Sequence, residues 1–543
     1  MRPETAILRH PVLGEVQGNL DNGVLQFLGI KYASLENRFS EPQDVEYSGQ
    51  AQPIVATRHG PPVIVSPGSV DMEMSFIQQS LPKFDVPPMS DTNGLNLNIT
   101  TPQHHTDKMP VLVFIHGGGF NFGSGSYPQY DQSQIVQRSV GLCKPIVAVN
   151  INYRLGIPGF LTSKDLLDMG YKSNRGLRDQ RAALKWIKRH ISGFGGDPDC
   201  ITVMGQSAGA GTTASHYALA SINFHMQSQE PLFHQAVLFG GSFLLVKPQT
   251  PESAESAYQS AIRSLSIEGS SCKDRVQSLL NIPAEELVDA ALNGKASLGP
   301  VIDNELIPSI ATFKNIKECP MTGNNWCSRL FCLDSQFDGS LFAIIDLGTR
   351  LNGITEAFRL FLINGLGDKA ACKILDHYGI TQGVTDEESL INIGQLLTDV
   401  GYYAPLVKVG EAHPAPFILG HFNERNPWDG IHQGRASHIL DIAYLWGNYG
   451  DRYGRQNKAV AKALAEDVIS FVWGQDVLPR FNDDSKRVVV YGPADGDVSR
   501  QVLDWRDEKT RRSVSIFELA ELSGGLDKLL DVLLAFCWDN ESG

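Results

Sequence analysis

The stretch whose reading decides the fold is VMGQSAGAGTTASHYALA, Val203 to Ala220. Gly205 and Gly209 bracket Ser207 in a G-x-S-x-G pattern. The apolar run before it predicts a short buried strand, and the Ala-rich run after it predicts a helix. A serine at such a junction sits on a turn so tight that only glycine tolerates the crowding on each side. The pattern alone is weak, so the segments around it set its weight.

Those segments carry an alternating rhythm. VLVFIHGGG (111–119) reads as a buried strand ending in a glycine run, and PIVAVNINY (145–153) as a second strand. GLRDQRAALKWIKRHI (176–191) has helical spacing through Leu177, Ala183, Leu184, Trp186, Ile187 and Ile191. CITVMG (200–205) is a third strand and HQAVLFGG (234–241) a fourth, with later strands expected at RLFCLD (329–334) and FILGHF (417–422). Apolar strands alternating with helices imply a mostly parallel sheet sandwiched by helices. Before residue 110 the chain reads as strands and loops. Helical insertions are expected around 248–321 and 348–398, where they would cover the sheet and roof a pocket. SVSIFELAELSGGLDKLLDVLLAFC (513–537) reads as a closing amphipathic helical pair.

Composition narrows the class. The chain has 543 residues, 42% hydrophobic and 20% charged, with a net charge of −14. An acidic chain argues against nucleic acid or an anionic membrane as the main partner. No window approaches the ~18 consecutive apolar residues of a membrane span, and the first twenty residues have no signal-peptide core. A cytoplasmic location is expected. The eight cysteines, without C-x-x-C spacing, are expected to be buried thiols rather than disulfides or metal ligands. KTRR, Lys509 to Arg512, is expected to be a solvated patch.

A serine hydroxyl needs a base to take its proton and a third group to hold that base. The expected chain order is serine, acid, histidine. HGGGF, His116 to Phe120, follows a buried strand, and its glycines let backbone N–H groups approach a substrate. The amides of Gly118 and Gly119, with that of Ala208, would form an oxyanion hole. His438 in ASHILDIAYLWG follows the last expected strand, with His432 as its nearest rival; His421 lies inside a strand. For the carboxylate, LFCLDSQFDGSLF offers Asp334 at the strand end and Asp338 four residues on, and spacing alone leaves both open.

The motifs together resemble the type-B carboxylesterase/lipase family, which also contains cholinesterases and neuroligin-type adhesion proteins. In order, GEVQGN, FLGIKYASLENRF, LNLNI, HGGGF, NYRLG, GLRDQRAALKWI and FGGDPDCITVMGQSAGA resemble its signatures. The resemblance implies one α/β-hydrolase domain over 1–543, with the helical insertions forming a cap over the pocket. In that family the acid precedes a Gly-Ser step leading into an aromatic, which maps onto Asp338 in FDGSLF. The histidine precedes an acidic residue three places on, which maps onto His438 with Asp441. Ser207, Asp338 and His438 are the implied catalytic triad, acting on a small-molecule ester with no metal or cofactor.

Departures from the family pattern add expectations. Gly94 stands where secreted members carry a cysteine. Thr92 stands where an acid would pair with Arg38, so the loop from Ser66 to Asn93 is expected to be freer to move. Gln206 and the absence of tryptophan in that loop argue against choline esters, and Gly240 replaces the family's usual serine. Three other readings share these motifs: an acyltransferase with a non-water acceptor, a binding module that has lost its chemistry, and a true lipase. Acyl length, alcohol identity and oligomeric state depend on segments without a motif.

Overall fold

A computed structural model of the protein describes residues 4–47, 52–104, 108–211, 231–269, 271–293, 298–318, 327–345, 347–414, 417–482, 484–494 and 498–538. In chain order its strands are β1 (Glu4–His10), β2 (Gly14–Asp21), β3 (Val24–Lys31), β4 (Ala33–Ser34), β5 (Gln43–Asp44), β6 (Ile54–Val55), β7 (Asn96–Pro102) and β8 (Met109–Ile115). There follow β9 (Val147–Ile151), β10 (Gly196–Gln206), β11 (Gln235–Phe239), β12 (Arg329–Ser335), β13 (Ile418–Phe422), β14 (Arg487–Tyr491) and β15 (Arg500–Asp504). Thirteen of them form one sheet, ordered β1-β2-β3-β7-β9-β8-β10-β11-β12-β13-β14-β15 with β6 against β2. From β9 to β14 every neighbouring pair is parallel. The outer pairs β1-β2, β2-β3, β3-β7, β7-β9 and β14-β15 are antiparallel.

The sequence forces this arrangement because the central strands are apolar on both faces. In β8, Val111, Val113 and Ile115 enter one core cluster, while Leu112 and Phe114 enter a second on the opposite face. Alternation across a strand places successive side chains on opposite faces, so both faces demand a helical cover. Each aliphatic side chain so enclosed contributes about 1.5–3 kcal/mol relative to exposure. The helix Arg175–His190 covers the first face with Leu177, Ala183, Leu184, Trp186 and Ile187. Helices Leu440–Trp446 and Arg455–Val472 contribute to the second.

Two groups of helices lie between strands β11 and β12 and between β12 and β13. The first holds helices Pro251–Ser264, Cys272–Asn281 and Ala284–Asn293. Its opening is set by Thr250, whose side chain accepts from the Ser253 amide ahead of Pro251. The second holds Ile354–Leu366, Asp368–Tyr378 and Asp386–Thr398, the last opened by a Thr385–Glu388 capping box.

Three elements differ from the expectation. A helix, Ser69–Ile77, lies in the part read as strands and loops. Strands β14 and β15 follow Phe422, the end of the last expected strand. The Ser69–Ile77 helix has only nine residues, too few for a periodic pattern to stand out. Strand β15 is a half-exposed edge without a buried run. The cysteines also depart from expectation: the seven described ones are free, but Cys143 and Cys372 are exposed, Cys200 and Cys272 half-buried, and only Cys327, Cys332 and Cys537 buried. Cys319 lies outside the described residues. Among the described residues no helix is long and apolar enough to cross a membrane.

Candidate active site

Because β8, β10, β11 and β12 run parallel, their carboxyl ends share one edge of the sheet, where open α/β sheets bind ligands. The residues singled out from sequence leave that edge: His116–Gly119 after β8, Ser207 after β10, Gly240 after β11 and Asp338 after β12.

Ser207 is held in the left-handed region at φ +54°. For a residue with a side chain this conformation costs about 1–3 kcal/mol and persists only when neighbours enforce it. Here the Ser207 amide donates to the Phe239 carbonyl (2.9 Å), and the Ser207 carbonyl accepts from the Gly211 amide (3.0 Å) as the helix starts. Crowding explains both flanking glycines. A Cβ on Gly205 would lie 2.1 Å from the Gly209 carbonyl oxygen, and one on Gly209 would lie 2.2 Å from that of Ile115. The expected helix beyond residue 211 lies largely outside the described residues.

His438 and Asp338 meet directly: Nδ1 of the histidine is 2.7 Å from Oδ1 of the aspartate. The Ser335 amide donates to the other oxygen of Asp338 (2.7 Å), and Ser340 Oγ accepts from the His438 amide (3.0 Å). Gly339, between them, donates its amide to Thr398 Oγ1 at the end of helix Asp386–Thr398. The insertion thus grips the acid's loop. The chain continues as a wider helical turn, Asp399–Tyr403, which lays the Tyr402 ring 5.3 Å from that of His438. Burial raises the Asp338 carboxyl above the ordinary carboxylate range, while the bond from His438 pulls it back. Burial and the charge of Asp338 push Asp441 far higher.

The serine joins this pair through the strand between them. A Cβ on Gly240 would lie 3.2 Å from Asp338 Oδ1 and 3.3 Å from His438 Cε1. One on Gly241 would lie 2.3 Å from the Ser207 carbonyl oxygen. Gln206, one residue before the serine, places its side-chain nitrogen 3.2 Å from His438 Nε2. Sequence reasoning noted Gln206 only for its missing charge, and no spacing signal marked Thr398 or Tyr402.

The glycine run lies against the serine. A Cβ on Gly117 would lie 2.9 Å from that of Ser207. Gly118 and Gly119 take φ +100° and +58°, and the Gly118 carbonyl accepts from the Asn121 and Phe122 amides. The amides of Gly118, Gly119 and Ala208 have no hydrogen-bond partner among the described residues.

Asp334 and His432, the other candidates, sit in different surroundings. Asp334 is buried between His421 Nδ1 (2.6 Å) and Arg512 Nε (2.7 Å). Burial raises its carboxyl, but Arg512 and His421 outweigh that and leave it below its ordinary value. His432 is buried, its ring nitrogens have no hydrogen-bond partner among the described residues, and it is held down to about 4 by burial and by Arg435. Two expectations are corrected here. The KTRR segment is not simply a solvated patch, since Arg512 is fully enclosed and also donates to Asn423. Arg38 does have an acid, Asp91, one residue before Thr92, with Nη2 and Oδ2 2.5 Å apart. The loop is tied elsewhere too: Asn426 donates to the Ile77 carbonyl, and Gln78 Oε1 accepts from the His432 amide. At Gly94 a Cβ would come 2.7 Å from Val63 Cα.

This geometry agrees with what the chain is similar to. The sequence model described as the carboxylesterase family matches residues 5–497. The chain is 29% identical over 452 residues to the para-nitrobenzyl esterase of Bacillus subtilis (strain 168), covering 80% of this chain and 82% of that one. It is 27% identical over 483 residues to lipase 1 of Yarrowia lipolytica (strain CLIB 122 / E 150), covering 86% and 87%. A solved structure of a thermophilic PNB esterase superposes with a TM-score of 0.72 at 25% identity, covering 93% of this chain and 99% of the other. The fold is that of the α/β-hydrolases. The chain belongs to the carboxylesterase family and is an enzyme that acts on carboxylic esters.

Proposed function

We propose that the protein hydrolyses small to medium carboxylic esters through Ser207, His438 and Asp338 and a serine acyl-enzyme. The observation that carries this reading is the buried His438–Asp338 pair, 2.7 Å apart, beside a serine at φ +54°. With Nδ1–H donated to Asp338, Nε2 carries the lone pair that takes the Ser207 proton. The alkoxide attacks the ester carbonyl, and the N–H groups of Gly118, Gly119 and Ala208 receive the oxyanion. His438 then returns the proton to the leaving alcohol, and water repeats the sequence to free the acid. The amides of Gly118, Gly119 and Ala208, without a partner among the described residues, suit this role, because a hole already filled by protein acceptors would stabilise nothing.

Hydrolysis of p-nitrophenyl esters of graded acyl length tests the proposal. The parent should show a burst of alcohol release followed by steady turnover, and S207A should lose at least about 10⁴-fold in kcat. If S207A retained the parent's rate, the proposal would be wrong. Faster alcohol release with added alcohol, with a new ester formed, would instead mark an acyltransferase.

A further inference from the structure

The base of the proposed triad has a second neighbour. His438 Nε2 lies 3.2 Å from the side-chain nitrogen of Gln206, and Gln206 is 1% exposed. Nδ1 is engaged by Asp338, so Nε2 holds a lone pair, and of the two ends of the Gln206 amide the N–H end is the one that can approach it favourably. The amide orientation follows from that chemistry. The other end of the amide, Oε1, lies at the glycine run, 2.5 Å from where a Cβ on Gly117 would stand. The glycine there leaves room for it.

We infer that Gln206 is a positioning residue that donates to His438 Nε2 and holds the base neutral until substrate arrives. This deepens the triad reading and rests on it. The hydrogen bond occupies the lone pair that must accept the Ser207 proton, so the amide and the serine compete for it. An N–H donor on Nε2 stabilises the neutral ring against the imidazolium. A carboxylate at 206 would instead favour the charged ring. After proton transfer, half a turn of the amide brings Oε1 to Nε2–H as acceptor, so the same side chain serves both states.

The other groups around the ring do not replace this control. Asp338 meets Nδ1 from the loop after β12, and Asp334 behind it is neutralised by Arg512. Asp441, on His438's own segment, is pushed toward its neutral form. The Tyr402 ring lies tilted against that of His438 from the Asp399–Tyr403 turn, and Gly240, just after β11, brings backbone beside it.

The test compares the pH dependence of kcat/KM for the parent, Q206E and the near-isosteric Q206M on a p-nitrophenyl ester. In Q206E the pH of half-maximal kcat/KM should rise by at least about one unit, and in Q206M by less. Q206M, which has lost the competitor for the lone pair, should also react faster than the parent with a fluorophosphonate at the plateau pH. Three superimposable pH profiles would overturn the inference while leaving the triad intact. If the parent itself neither turned over nor labelled at Ser207, the triad reading would fall and take this inference with it. Should Q206E not fold, an unshifted profile in Q206M overturns the inference alone.

Discussion

Asp334 and Asp338 stand four residues apart, and their surroundings give them different work. Asp338 touches His438, while Asp334 is enclosed with Arg512 and His421. D338N should therefore fold and lose about 10⁴-fold in kcat, because an amide no longer fixes the useful tautomer of the base. D334N should lose stability instead, since it leaves a buried guanidinium without its anion, and its folded fraction should turn over like the parent. Steady-state kinetics alongside thermal unfolding separate the two. A normal kcat in D338N with a collapsed kcat in D334N would reverse the assignment. Sequence spacing alone could not choose between them, because one closes a strand, the other follows it, and both precede a turn. The family resemblance points to Asp338, and its contact with His438 across the fold supports that reading.

At the scale of elements, the Ser66–Asn93 loop shows what a missing motif conceals. The acid for Arg38 is present one residue before the position where the pattern seeks it, and Arg38 also donates to the Leu279 and Ile282 carbonyls. D91A should cost about 1 kcal/mol, given the partial exposure of Asp91. It should also hasten protease cleavage within 66–93 under native conditions; an unchanged cleavage rate would mean that the other ties hold the loop. Within the loop, the helix Ser69–Ile77 buries Glu73, whose Oε2 accepts from Gln129 (2.9 Å) and Tyr130 (2.7 Å). Burial raises this carboxyl from 4.5 to about 7, the two bonds pulling it back. A folded-state value above the unfolded one means stability that is full below about pH 4.5 and lost as pH rises through about 7. E73Q keeps an acceptor for both donors and removes the titration. Relative to the parent it should gain up to about 3 kcal/mol between pH 5 and pH 8.5, read by urea unfolding at each. The same difference at both pH values would contradict the assignment.

Over the whole molecule, the central sheet was legible because β8, β9, β10 and β11 are short apolar runs joined by helical or glycine-rich segments. The tight turn at Ser207 was legible because backbone crowding permits only glycine at 205 and 209. What stayed hidden depends on distant packing. Strand β15 carries no buried run, and Arg512 looked like surface because its partner, Asp334, is 178 residues away. R512M should destabilise the protein by about 3–5 kcal/mol by leaving the buried Asp334 without its guanidinium and with His421 as its remaining side-chain partner; a neutral effect in chemical denaturation would show that this ion pair does not anchor the C-terminal segment. The central claim is that Ser207 is an activated nucleophile, and fluorophosphonate labelling with peptide mapping tests it most directly. A working base and oxyanion hole should yield a single adduct on Ser207, lost in H438A. No adduct on Ser207 in the folded protein would contradict the account and leave a binding module on an esterase fold.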